Sequence, residues 1–204
     1  NDHLQAWEAY LKVGDIDPIF QTAIVHAQFE LIHPFKDGNG RIGRLLIPLF
    51  LYSKDRLSSP MLYLSQYLEQ HRDEYYARLR AVSQNNEWTE WVEFFLQAVI
   101  TQANQNTHTL KQIMSLYDAT RLQVSELTRS PHSAQLVEAL FDKPIFTTAD
   151  GSQRANIPKP TVHKLINILL EEGVLDTVRA GAGRRAAILT FAELLNTLER
   201  KQLV

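Results

Sequence analysis

There is no cysteine in the 204 residues. That absence excludes disulfides and thiolate metal sites, and it fits the reducing cytoplasm expected for the chain. No run approaches the ~18 consecutive apolar residues of a membrane span, so no membrane partner is expected. Charge of one sign is also missing. With 21 basic and 23 acidic side chains the net charge is −2, and the molecule as a whole is no polyanion trap. Internal repeats and low-complexity tracts are absent as well. The first residue is Asn rather than Met, so a secretory leader on the full gene product stays open. What remains is a chain 45% hydrophobic, able to bury one good core or two modest ones.

Glycine is sparse, with 8 residues in all, yet three fall within the twelve residues from His33 to Arg44. That stretch reads His-Pro-Phe-Lys-Asp-Gly-Asn-Gly-Arg-Ile-Gly-Arg. Gly38 and Gly40 can take backbone angles closed to other residues, so the chain can curl with its N–H groups inward. An apolar helical pattern follows (Ile42, Leu45, Leu46, Leu49, Phe50), which opens the curl into a helix N-terminus. Unpaired N–H groups and the positive dipole end favour an anion there. An imidazole is suited to accept a proton from a hydroxyl nucleophile, which makes His33 the general-base candidate. Asp37 is a hard oxygen donor suited to Mg²⁺ shared with phosphate oxygens. Asn39, the loop amides and Arg41 can position and neutralise phosphates. Arg44, three residues after Arg41, lies on a similar helix face and can reach the far end of a triphosphate.

These residues resemble the HPF-x-[DE]-GNGR-x-x-R signature of Fic proteins, without a departure. Such enzymes mostly transfer AMP from ATP to a hydroxyl side chain of a target protein. The resemblance implies His33 as base, Asp37 for metal, and Asn39 with Gly38, Gly40, Ile42 and Gly43 around the phosphates. Arg41 would hold the β-phosphate and Arg44 the γ-phosphate. It further implies that residues 60–82 are the helix pair closing the nucleotide pocket, with Tyr75 over the adenosine or in the core. Fic domains usually carry upstream helices, a β-hairpin flap that docks the target and often an inhibitory helix. None is legible here, so the chain is expected to be an N-terminally incomplete Fic core.

Around the motif, Phe20, Ile24, Ala27 and Leu31 mark a stripe that predicts a buried helix over 18–32, delivering His33 at its end. His26 reads as structural, since nothing near it suggests a ligand set. Pro48 is expected to kink or shorten the helix after the motif. Trp88 and Trp91, before Phe94-Phe95-Leu96, read as core. The polar stretch from Gln102 to Arg129 keeps an approximate helical stripe and reads as a connecting helix.

From Ser130 the pattern changes. Helices are predicted over 132–141, over 147–155 with a threonine cap, and over 161–172, where Gly173 stops the last. Val174–Val178 and Ala187–Thr190 read as strands bracketing a basic glycine-rich tip. This order resembles a winged helix–turn–helix domain. The fold expected is therefore mainly α, with an all-helical core (1–104), a connecting helix (105–129) and a winged helix domain of three helices plus a β-hairpin (130–204). Lys159, Thr161, His163, Lys164 and Asn167 would face a DNA groove, and Arg179, Arg184 and Arg185 would touch phosphate. Residues 126–204 hold 10 basic and 9 acidic side chains, so charge supports DNA only mildly. Such domains also dock proteins or form homodimers.

Two function classes follow. One is an enzyme using ATP and Mg²⁺ to adenylylate a Ser, Thr or Tyr hydroxyl, releasing pyrophosphate. Removal of AMP, or transfer of another phosphate-containing group, is its variant. The other is a DNA-binding regulator whose motif half senses nucleotide. The filled motif favours the enzyme.

Overall fold

A computed structural model of the protein describes residues 2–14, 16–183 and 185–199. It is mainly helical, and it divides into two compact units, residues 1–106 and 107–204.

The first unit contains α1 (Asp2–Leu11), α2 (Pro18–Ile32), α3 (Asn39–Ser53), α4 (Ser65–Gln70), α5 (Arg72–Asn85) and the first half of α6 (Trp88–Thr128). Asp17 starts α2 by accepting the N–H groups of Ile19 and Phe20 at 2.9 and 3.1 Å, with Pro18 in the first helical position. The core joins Ala23 and Ala27 of α2, Ile47 and Leu51 of α3, Leu68, Tyr75 and Leu79 beyond them, and Trp91 and Phe95 of α6. Trp91 is fully buried and donates its indole N–H to the Ala23 carbonyl at 2.9 Å. Trp88 is half-buried against the same core.

One expectation needs correction here, and the shortening expected at Pro48 does not occur. Phe20 and Leu31 are 42% and 40% exposed, while Val25, His26 and Phe29 are buried beside Ala23 and Ala27. Gln21 and Thr22 are buried with them, so the inward face is not the apolar stripe that spacing alone selected. Pro48 is buried inside α3, which continues to Ser53. One missing donor, that for the Arg44 carbonyl, is tolerated because the helix packs firmly on both sides of it.

His26 ties these helices together. Its Nδ1 lies 3.0 Å from the Gly43 carbonyl and its Nε2 3.1 Å from the Tyr75 hydroxyl. A carbonyl can only accept, so Nδ1 carries the proton and Nε2 accepts from Tyr75. The ring is 1% exposed and stacks on Trp91 at a centroid distance of 6.1 Å.

The second unit continues α6 and adds α7 (Ser133–Asp142), β1 (Ile145–Phe146), α8 (Thr148–Ala155), α9 (Lys159–Glu171), β2 (Asp176–Arg179), β3 (Ile188–Thr190) and α10 (Ala192–Glu199). The strands form an antiparallel sheet in the order β1-β3-β2, with Phe146 and Thr177 both opposite Leu189. Its core draws on Val124, Leu136, Leu140, Phe146, Val162, Ile166, Leu169, Leu175 and Phe191. Thr147 and Asp150 make a reciprocal capping box at α8. The segment expected to connect is the continuation of α6, since no Gly or Pro interrupts residues 88–128. The strand predicted from Val174 is β2, which starts later, at Asp176. The N–H groups of Val174 and Leu175 instead bond the Leu169 carbonyl around Gly173 (φ +71°), closing the end of α9.

Burial lowers the His26 pKa to about 4, outweighing the Gly43 hydrogen bond that raises it. In the unfolded chain the ring titrates near ~6.5. The folded state therefore binds fewer protons between these values. Its stability is fully present above pH ~6.5 and falls as pH drops toward 4, by on the order of 3 kcal/mol from this one group. An NMR titration should find the His26 ring unprotonated until near pH 4. Titration close to 6.5 would contradict the buried neutral assignment.

Candidate active site

His33 closes α2 as its C-cap in the left-handed region (φ 50°, ψ 57°), with its N–H on the Phe29 carbonyl at 3.1 Å. Few non-glycine residues hold that conformation, which costs on the order of 1–3 kcal/mol. Pro34 follows and bars continuation of the helix. The imidazole is exposed. Its Nδ1 makes a long 3.4 Å contact to the Glu30 carbonyl, so Nδ1 carries the proton and Nε2 is left as the basic nitrogen.

The loop after His33 is held by Asn39. Its Oδ1 accepts the Phe35 N–H at 2.9 Å and its Nδ2 donates to the Phe35 carbonyl at 2.6 Å. Asn39 is 2% exposed, and both ends of its side-chain amide are spent on shaping the loop. Gly38 takes φ +81° at the N-cap of α3, and no side chain caps the helix there. The Asp37 carboxylate accepts the Gly38 N–H at 2.7 Å and stands 3.8 Å from Arg41. Both side chains are strongly exposed, so this ion pair is a weak tether.

The remaining motif residues separate by face. Ile42 is half-buried and Gly43 buried, with the Gly43 carbonyl taken by His26. Arg44 folds back over Gly40, its Nη1 3.3 Å from where a Cβ would stand. It lines a narrow cleft with Ser65, Glu69, Arg72, Tyr75 and Tyr76. Tyr75 is 4% exposed, and burial raises its hydroxyl pKa. It contributes to the core and to the floor of that cleft, whereas Tyr76 is 49% exposed under Arg72 at 5.8 Å. An open cavity of about 440 Å³ lies beside His33, lined by His3, Leu31, Ile32 and Pro34.

The structure thus brings His33, Asp37, Gly38, Asn39, Gly40 and Arg41 into one loop and helix turn, with Arg44 a turn further along. Residues 1–51 match the Fic/DOC family model. This stretch is a Fic/DOC-family segment. A protein adenylyltransferase of Caenorhabditis elegans is 43% identical over 68 residues, covering 33% of this chain and 12% of that protein. A probable protein adenylyltransferase of Aquifex aeolicus is 38% identical over 58 residues, 28% of this chain and 18% of that protein. The chain therefore spans under a fifth of the length of either relative. Its fold is similar to the crystal structure of a Fic family protein from Desulfovibrio desulfuricans G20. The TM-score is 0.52 at 22% identity, over 93% of this chain and 54% of that one.

Among the described residues no cluster of three or more His, Asp or Glu side chains could hold a metal by itself. In the second unit, Lys159, His163, Lys164 and Asn167 are exposed on the face of α9 opposite buried Val162, Leu165, Ile166 and Leu169, with Thr161 half-buried. Arg179 and Arg185 are exposed on the hairpin, whose tip is closed by bonds between Ala182 and Arg185. Arg184 lies outside the described residues. Sequence reading passed over Glu30, one helical turn before His33. Its signal was a carboxylate inside an otherwise apolar run leading to the motif.

Proposed function

We propose that the first unit is the nucleotide-holding core of a protein adenylyltransferase. The observation that carries this reading is the convergence of an exposed imidazole with a free Nε2, an uncapped helix N-terminus and two arginines on the Fic/DOC segment. In the reaction, a Ser, Thr or Tyr hydroxyl oxygen of the target bonds the α-phosphorus of ATP. The bond from that phosphorus to the bridging oxygen breaks, and pyrophosphate leaves. His33 Nε2 takes the hydroxyl proton as the attack proceeds. The N–H groups of Asn39 and Gly40 and the Arg41 and Arg44 guanidiniums hold the phosphates in line and offset their charge. The cavity beside His33 offers room for the target side chain.

Mg²⁺ fits this residue set as an ion carried on the nucleotide. Asp37 offers one exposed carboxylate, and Mg²⁺ commonly takes one or two carboxylates with phosphate oxygens and water. When bound it supplies charge neutralisation at the phosphates.

The test is mass spectrometry of full-length protein with ATP and Mg²⁺, for AMP added to itself or to target proteins. His33→Ala should abolish that addition while changing ATP affinity by no more than about twofold, because the phosphates are held elsewhere. Undiminished AMP transfer by His33→Ala would remove His33 from the mechanism.

For the second unit we infer a winged helix that binds DNA, on the basic exposed face of α9 beside a hairpin bearing Arg179 and Arg185. Fluorescence anisotropy with duplex from upstream of the gene should show binding that weakens steeply with salt. Replacing Arg179 and Arg185 by Ala should flatten that slope, and changing His163 or Asn167 should alter sequence preference. Self-association or protein capture through the same residues, without any salt-dependent DNA binding, would make the unit a protein-docking module.

A further inference from the structure

Glu30 is a carboxylate that the proposed chemistry does not use. It stands in the last turn of α2, and its side chain is directed at α3. A Cβ on Gly43 would collide with its Oε1, and one on Gly40 would lie 4.0 Å from its Oε2. Gly40 and Gly43 are three residues apart, so they form one face of α3, and the carboxylate packs against it. Oε1 is buried there without a hydrogen bond. Leaving a buried carboxylate oxygen unpaired is costly, so an apolar residue would serve packing better. Burial raises the Glu30 pKa, while the charges of Arg44 and then His33 act to lower it. The first turn of α3 has no acidic residue of its own, and Glu30 supplies negative charge beside that positive helix end from the neighbouring helix.

Arg44 completes the arrangement. Its Nη1 is 3.3 Å from the same Cβ position on Gly40 that lies 4.0 Å from Oε2. Arg41 has Asp37 at 3.8 Å, but no described carboxylate lies within ion-pair distance of Arg44. The Glu30 charge therefore attracts the Arg44 guanidinium without occupying its N–H donors. A long cation with no such attraction would sample many rotamers at the mouth of that narrow cleft.

We propose that Glu30 is a positioning residue whose carboxylate, seated on the Gly40–Gly43 face of α3, holds the Arg44 guanidinium across Gly40 for the terminal phosphate of a nucleoside triphosphate. This rests on the nucleotide reading above. Glu30 touches neither substrate nor reacting atoms; it acts through Arg44.

The experiment is calorimetric titration of the chain with ATP and with AMP, for the unmodified protein, Glu30→Gln, Arg44→Ala and the double variant. Glu30→Gln keeps the size and removes the charge. It should weaken ATP binding roughly three- to tenfold, leave AMP binding within about twofold, and have no further effect on Arg44→Ala. Equal weakening of ATP and AMP would make Glu30 a packing residue and overturn the proposal. Unchanged or tighter ATP binding, or a loss that persists in the Arg44→Ala protein, would also overturn it. Should Glu30→Gln lower the melting temperature sharply, Glu30→Asp replaces it, keeping the charge on a shorter arm. Glu30→Asp should keep part of the preference for ATP over AMP that Glu30→Ala loses, and equal losses in the two would overturn the proposal. Failure of the underlying reading has a different signature. The unmodified chain would then bind no ATP, or Arg44→Ala would leave the preference for ATP intact.

Discussion

The arrangement of the motif depends on one buried ring. His26 spans three helices, with its Nδ1 on the α3 backbone at Gly43 and its Nε2 on the Tyr75 hydroxyl of α5. Because it sits on α2, seven residues before His33, it fixes the helix that ends at His33 against the helix that begins at the loop. The buried ring is held neutral and does this by donating from Nδ1 and accepting at Nε2. A protonated ring would turn Nε2 from acceptor into donor and place an uncompensated charge in the core. His26 and His33 are thus histidines of opposite kind. One is buried and kept neutral to join helices, and the other is exposed with a basic nitrogen free.

A second layer of constraint lies in the loop itself. Asn39 has both ends of its amide on the Phe35 backbone, so the curl from Phe35 to Gly38 is closed before any ligand arrives. Gly38 supplies a left-handed backbone at the N-cap, and Gly40 and Gly43 remove side chains where Arg44 and Glu30 approach. The three glycines therefore do different things: one turns the chain and two make room for charge. Preorganisation of this kind lowers the ordering cost of taking up a flexible polyphosphate.

Much of this was legible in the residues. The motif fixed the loop, the helix after it and the grouping of His33, Asp37, Asn39 and Arg41, because Gly, Asn and Pro carry strong local preferences. The threonine start of α8 and the end of α9 near Gly173 were equally readable as local signals. What escaped depends on tertiary contacts. The buried face of α2 is invisible when polar Gln21, Thr22 and His26 turn inward with the apolar residues, and β1 is a two-residue strand that exists only through its pairing with β3. Glu30 went unread, since only the packing of α2 on Gly40 and Gly43 shows where its carboxylate goes. Tyr75 could not be told from Tyr76 by sequence spacing. The His26 hydrogen bond turns the first inward and leaves the second half-exposed.

The central claim is that the loop and first turn of α3 receive the phosphates of a nucleotide through backbone N–H groups. It is tested most directly by titrating ¹⁵N-labelled chain with ATP and following the amide resonances. The account predicts that the largest shifts fall on Gly38, Asn39 and Gly40, with the Arg44 side-chain signal moving alongside them. Saturable ATP binding with those amides unmoved, and shifts confined to other surfaces, would contradict it.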